Sequence, residues 1–405
     1  MTLGTHATAL IQPLRGKLGR AVPALSAYLF TSILLIGAIA LLDRIVGAQQ
    51  LKAFLTYVLV ATLAAGLEPG TAKAAIVASS RDHRIHVSLS LLGASVIKSI
   101  LVSPVLAGVW LLSAPEAVAS GLLLVPIISA LGFLATDIRV LLDAEGRYAS
   151  AIWLKQGSLA LAIACAAAAL ALGYGLDAGI LLSCVLRLIW TAFFIQACTD
   201  AKWPRERLST HMLSNRWSHF LLASGLGSLA ASIDRIVAFR FLDAGMANAY
   251  ILAYELLSKF WLLPYLLAPL AFVKAAQHGP GGGFARQCHM LIAAAGIPFL
   301  LAATLLPLVP LQTLQSANFT SWGLALFASA ILIAAFNQIL STELQASGAA
   351  AAATASATTG LFVSALAFPL LLWLMGFNGL FVAWMLKSLA ESAVLGLATF
   401  RNRHA

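Results

Sequence analysis

Charged residues stand inside stretches of this chain that are otherwise apolar, and those that could do chemistry are Lys98, Asp137, Arg139, Arg187, Asp234, Arg235, Glu255, Lys259, Lys387 and Glu391. A charge at bilayer depth costs a few kcal/mol, so it faces a partner or a water-filled cavity. Buried carboxylates of this kind can take up a proton or a sodium ion. Buried guanidinium and ammonium groups are natural partners of phosphate and other anions. Glu255–Lys259 and Lys387–Glu391 are spaced i,i+4, so each pair can neutralise itself along its own helix. Asp234 and Arg235 are adjacent and point about 100° apart on a helix, a poor geometry for satisfying each other. Asp137 and Arg139 fall late in their stretch, where the charged ends reach the interface by snorkelling. Lys98 and Arg187 have no partner on their own helices. With Arg235 they make an unpaired positive excess that suits an anionic substrate.

Smaller polar groups form patterns around these charges. Ser224, Ser228, Ser232 and Arg235 follow at spacings of 4, 4 and 3, and Asn337, Ser341 and Gln345 repeat the i,i+4 step. Such stripes line a wet cavity or pack helices through serine contacts, and the spacing alone leaves both open. Runs such as Ala166 to Ala169 and Ala349 to Thr359 give small faces for close helix packing or for sliding. Cys165, Cys184, Cys198 and Cys288 lack metal-type spacing and read as small core residues, and the eight histidines form no metal motif.

The elements that carry these residues follow from composition. Hydrophobic residues make up 61% of the 405 positions and charged residues 10%, against roughly 25% charged in a soluble domain. Stretches long enough to cross a bilayer recur at 24–43, 50–66, 87–112, 118–138, 150–173, 177–198, 217–240, 247–272, 288–311, 320–342, 351–375 and 378–399. The chain is therefore expected to be an all-α integral membrane protein. It has about twelve transmembrane helices in two pseudo-symmetric six-helix halves around a central cavity.

The domain plan is a basic cytoplasmic segment at 1–22, a six-helix half at 23–200, a cytoplasmic linker at 201–216 and a second half at 217–400. The first apolar run is too long for a signal h-region and reads as an uncleaved helix. The net charge of +10 raises the question of nucleic acid. The basic residues instead collect in one set of loops, which places both termini in the cytoplasm and implies no nucleic-acid partner. The opposite connections, such as Ala114-Pro115-Glu116 and Gly376-Phe377-Asn378, are too short to hold an external catalytic domain. A transporter is expected, not an enzyme.

The halves also echo in sequence. Leu42-Asp43-Arg44-Ile45-Val46 precedes Tyr57, and Ile233-Asp234-Arg235-Ile236-Val237 precedes Tyr250. Glu68 to Ala75 and Ala268 to Ala276 form related tails, each with a proline followed by a lysine.

The string from Ser232-Ile233-Asp234-Arg235 through Gly245 to Tyr250 and Tyr254 resembles one part of polysaccharide exporters and Wzx-type lipid-linked oligosaccharide flippases. These belong to the multidrug/oligosaccharidyl-lipid/polysaccharide (MOP) superfamily, where an aspartate-arginine pair ends helix 7 and a tyrosine-rich helix 8 follows. The resemblance implies a V-shaped bundle whose cavity opens alternately to each side of the bacterial cytoplasmic (inner) membrane. The implied cargo is an undecaprenyl-diphosphate-linked glycan, with a polysaccharide polymerase and glycosyltransferases as partners. Arg235 is the implied substrate-binding cation, with Lys98, Arg187, Lys259 and Lys387 beside it. Asp234 or Glu255 would couple transport to protons or sodium, with no other cofactor. A cation-coupled small-molecule (drug) exporter of the same superfamily is the alternative, and it would favour buried carboxylates over buried cations.

Overall fold

The computed structural model describes residues 26–67, 89–113, 119–144, 147–198, 215–278, 283–308 and 319–404. The basic N-terminal segment, the 68–75 string and most of the loops counted for topology lie outside the described residues.

Among the described residues, twelve helices are long and apolar enough to cross a membrane. They are α1 (Ser26–Ile45), α2 (Ala48–Gly66), α3 (Leu89–Ser113), α4 (Ala119–Ala144), α5 (Tyr148–Ala171) and α6 (Leu176–Cys198). The second set begins with two broken helices. In α7, Asn215–Ala230 and Ile233–Phe241 are separated by two non-helical residues. In α8, Ala244–Leu257 and Leu262–His278 are joined by a 3-10 turn, Ser258–Trp261. Then follow α9 (Gly283–Thr304), α10 (Ser321–Ala346), α11 (Ala350–Met375) and α12 (Asn378–His404).

Several boundaries depart from expectation, and two helix ends do so for evident local reasons. Helix α4 continues past residue 138 because Arg139 pairs with Asp143 one turn on, Nε to Oδ2 3.3 Å. Helix α9 starts earlier and stops at Thr304, before the 3-10 turn that contains Pro307. Proline has no N–H to donate, so Pro307 offers no donor with which the ladder could continue.

The halves share a packing plan. Helix α5 lies against α6 as α11 lies against α12, and α3–α4, α2–α4 and α4–α6 correspond to α9–α10, α8–α10 and α10–α12. Thr31 of α1 donates to the Gln156 carbonyl of α5 at 3.3 Å, as Ser364 of α11 donates to the Ala230 carbonyl of α7 at 3.3 Å. The matching turns α5–α6 and α11–α12 each hold a glycine at positive φ, Gly173 (79°) and Gly376 (60°), where an L side chain would be strained.

The small-residue face of α5 at Ala166 to Ala169 lies close against α6. A Cβ on Gly179 of α6 would lie 2.7 Å from the Cα of Ala166 on α5. Cys165, Cys184 and Cys288 are buried and unbridged.

The halves meet along α1 and α2 on one side and α7 and α8 on the other. At the end where α1 begins, Ser224 of α7 donates to the Gly66 carbonyl of α2 at 3.2 Å. Toward the opposite end α3 touches the second part of α7. Between these contacts lies a narrow, nearly closed cleft with residues of both halves in its walls, so the halves are drawn together in this conformation.

Candidate functional site in the cleft between the halves

The cleft is walled by Leu35 of α1, by Leu55, Val58 and Leu59 of α2, and by Phe239 and Ile251 of the other half. Its two charged groups are Arg235 and Glu255. Both stand beside the helix breaks.

A break inside a membrane frees backbone carbonyls that lipid cannot satisfy. In α7 the Ala231 carbonyl takes Nη2 of Arg235 at 3.1 Å, and the Ser364 hydroxyl, which donates chiefly to Gly360 of its own helix at 2.6 Å, also approaches the Ala230 carbonyl at 3.3 Å. The same Nη2 reaches Ser232 Oγ at 3.0 Å. Arg235 therefore holds the break together while its other nitrogens face acids. Its Nε lies 3.8 Å from Asp234 Oδ1 and its Nη1 3.9 Å from Glu255 Oε1. The guanidinium carbon sits 4.2 Å from the Tyr254 ring centroid, in cation–π contact. Lys259, within the 3-10 turn of α8, binds Glu255 Oε2 at 3.0 Å.

Asp234 is wholly buried. Its Oδ2 accepts from the Tyr250 hydroxyl at 2.7 Å and from the Trp384 indole at 3.0 Å. Trp384 then carries Lys387 over its ring, 4.6 Å from the centroid, and Lys387 pairs with Glu391 at 3.2 Å. Phe327 and Phe381 close the aromatic wall around Tyr250. One polar tract thus runs through α7, α8 and α12 of the second half, three acids against three bases.

The expected site residues divide between two places. Arg235, Asp234, Glu255 and Lys259 come together, and Lys387 joins them through Trp384. Lys98 and Arg187 lie in the first half and do not line the cleft. Lys98 is buried within electrostatic reach of Asp137, which accepts from Ser95. Arg187 donates from Nε to Ser158 Oγ at 2.9 Å, and its Nη1 is buried without a partner.

The expected unpaired positive excess is therefore corrected. Arg235 and Lys98 face acids on neighbouring residues or helices, and Arg187 alone of the three does not. Arg139 and Asp137 are also buried among the helices.

The stripes and the echo resolve as well. Ser224 contacts Gly66 of the opposite half, and a Cβ on Gly66 would lie 3.4 Å from Ser228 Oγ, so this stripe packs the two halves together. Asn337 instead binds Ser388 and Ser392 of α12 at 3.0 and 2.8 Å, inside its own half. Asp43 and Arg44 are exposed at the end of α1, whereas Asp234 and Arg235 are buried. The four-letter echo therefore marks no common position.

A different equivalence holds. Tyr57 of α2 bonds Ser183 of α6 at 2.7 Å, as Tyr250 of α8 meets Trp384 of α12 at 3.2 Å. Sequence reasoning passed over Trp384, and it met Tyr254 only as part of the family resemblance. The signal for Trp384 was its place one turn before Lys387.

Comparison with solved structures fixes the architecture. A MATE transporter in the straight conformation superposes with a TM-score of 0.67 at 14% identity, covering 95% of each chain. The fold is that of the MATE transporters. The eukaryotic MATE transporter AtDTX14 matches with a TM-score of 0.66 at 14% identity over 94% of this chain and 93% of its own. A MOP superfamily transporter from Pyrococcus furiosus, described as having a binding pocket of reverse polarity, gives 0.66 at 14% identity over 94% of both chains. No protein-family profile and no curated protein matches the sequence. The MATE likeness is thus one of backbone architecture, and the polar tract belongs to this chain's own residues.

Proposed function

We propose that this chain is an ion-coupled exporter of small molecules, working by alternating access of the cleft between its halves. The observation that carries the reading is the Arg235–Glu255 pair, set on the cleft wall at the breaks of α7 and α8. Discontinuous helices at the bilayer midplane, between related halves, are where secondary transporters place substrate and coupling ions. One structural neighbour is described as a multidrug resistance MATE family transporter, which supports the same reading.

In this proposal Glu255 is the coupling group and Asp234 anchors the tract. A proton or sodium ion taken up by Glu255 removes the acid that holds Arg235 and Lys259 beside the cleft. The two cations then repel each other, and the α2–α8 contact loosens. The chain sits in the bacterial cytoplasmic membrane with both termini inside.

A second reading, flipping of a polyprenyl-diphosphate-linked oligosaccharide, is favoured by Arg187, a buried cation without an acid. A polymerase and glycosyltransferases would then be its partners.

Uptake of ethidium into inside-out vesicles under an imposed proton or sodium gradient tests the first reading. Glu255→Gln should lower gradient-driven uptake by roughly tenfold or more, the loss of at least one charge-assisted contact. A chain that moves no ethidium under either gradient, yet flips a fluorescent polyprenyl-diphosphate sugar, would refute it in favour of the second.

A further inference from the structure

The two halves place comparable groups at comparable levels but finish them differently. In the second half Lys387 of α12 follows the Tyr250–Trp384 contact by three residues, and Glu391 one turn on neutralises it. In the first half Arg187 of α6 follows the Tyr57–Ser183 contact by four residues. One turn on from Arg187 stands Thr191, not an acid. Among the described residues no carboxylate lies within ion-pair distance of Arg187.

Arg187 is 1% exposed, and Thr191 is equally sealed from solvent. Three polar atoms on this stretch of α6 are buried with no partner: Arg187 Nη1, Trp190 Nε1 and Thr191 Oγ1. Residues at i, i+3 and i+4 share one helix face. Two consecutive residues of α5 confirm where that face points. Ser158 accepts from Arg187 at 2.9 Å, and a Cβ on Gly157 would lie 2.6 Å from the Trp190 ring. The arginine and indole groups can only donate, and the hydroxyls can donate too.

A buried donor left unmet costs about 1–3 kcal/mol, more when it is charged. Three together, one of them a guanidinium, form a cradle that wants an acceptor bearing negative charge.

We propose that Arg187, Trp190, Thr191 and Ser158 form an oxyanion-binding site inside the first half. Its ligand is a carboxylate or phosphate group, which supplies the charge that Glu391 supplies in the second half. In the present conformation α5 and α6 close over the site, so it fills when the helices of this half part during transport. The proposal rests on neither choice of cargo, because an acidic small molecule and a lipid-linked phosphate present the same group.

The test is calorimetric titration of inorganic phosphate into the full chain in zwitterionic lipid nanodiscs, against sodium chloride of equal ionic strength. Phosphate should bind the unsubstituted chain and bind Arg187→Gln roughly tenfold or more weakly. Thr191→Val, which keeps the charge and the side-chain shape, should weaken it by a smaller factor and guards against misfolding of the arginine variant. Phosphate binding that is absent from the unsubstituted chain, or equal in Arg187→Gln, overturns the site. So does binding lost in Arg235→Gln and kept in Arg187→Gln.

Repeating the titration in nanodiscs containing phosphatidic acid separates the sources. Competition assigns the site to a lipid phosphate, and unchanged affinity assigns it to a soluble anion. An Arg187→Gln chain that loses phosphate yet still exports ethidium leaves the proposed export function standing.

Discussion

The charge on Asp234 can be read out through the tyrosine that donates to it. Tyr250→Phe removes a hydroxyl 2.7 Å from Asp234 Oδ2. A hydrogen bond to a charged acceptor contributes about 1.5–3 kcal/mol, and one to a neutral acceptor about 0.5–1.5 kcal/mol. In a chain already carrying Asp234→Asn, the same tyrosine faces a neutral amide of the same shape. The two costs should therefore differ by about 1–1.5 kcal/mol, and this coupling belongs to the carboxylate charge. Trp384→Phe should show the same sign, since its indole is the second donor at 3.0 Å. Reversible unfolding in mixed micelles of rising SDS fraction, followed by tryptophan fluorescence, measures the four corners of the cycle. Coupling below about 0.3 kcal/mol, within the scatter of independent sites, would mean that Asp234 holds no charge in the folded chain. The tract would then carry one base in excess.

Two further outcomes follow from the same geometry. Cysteines replacing Gly66 and Ser228 stand at a separation suited to a disulfide, with the built Cβ 3.4 Å from Ser228 Oγ; oxidation should arrest transport and a reductant should restore it, and unchanged flux in the oxidised chain would show that this contact persists through the cycle. Arg187→Met should leave stability unchanged or raise it by about 1–4 kcal/mol, because no acid is orphaned, whereas Lys387→Met should lower it by about 1–3 kcal/mol by leaving the partly buried Glu391 unpaired; equal effects of the two in thermal denaturation would show that Arg187 has an acidic partner.

What could be read from the chain alone was governed by range. Apolar stretches of bilayer length and the i,i+4 pairs Glu255–Lys259 and Lys387–Glu391 are local, and both appear as expected. The adjacency of Asp234 and Arg235 also read correctly as a poor pair, since their contact is 3.8 Å. Cross-helix partners were invisible. Nothing near Lys98 in sequence announces Asp137, and nothing near Asp234 announces Trp384, which lies 150 positions on. The breaks in α7 and α8 were also missed. Ala231 and Ser232 carry no glycine or proline, and the interruption is stabilised by Arg235 and Ser364 from outside the local ladder.

That sequence distance has a meaning for how the protein is made. Each charge in α7 disfavours entry into the bilayer by a few kcal/mol, so the segment around Asp234 and Arg235 enters the membrane incompletely satisfied. Tyr250 becomes available almost at once, but Trp384 does so only after the ribosome has added those 150 residues. At about 5–20 residues per second that interval is roughly 10–30 s. The second half consequently cannot finish folding helix by helix. Its last helix is the one that seals its first, and a chain cut short before α12 leaves Asp234 without its indole donor in the interior of the bilayer.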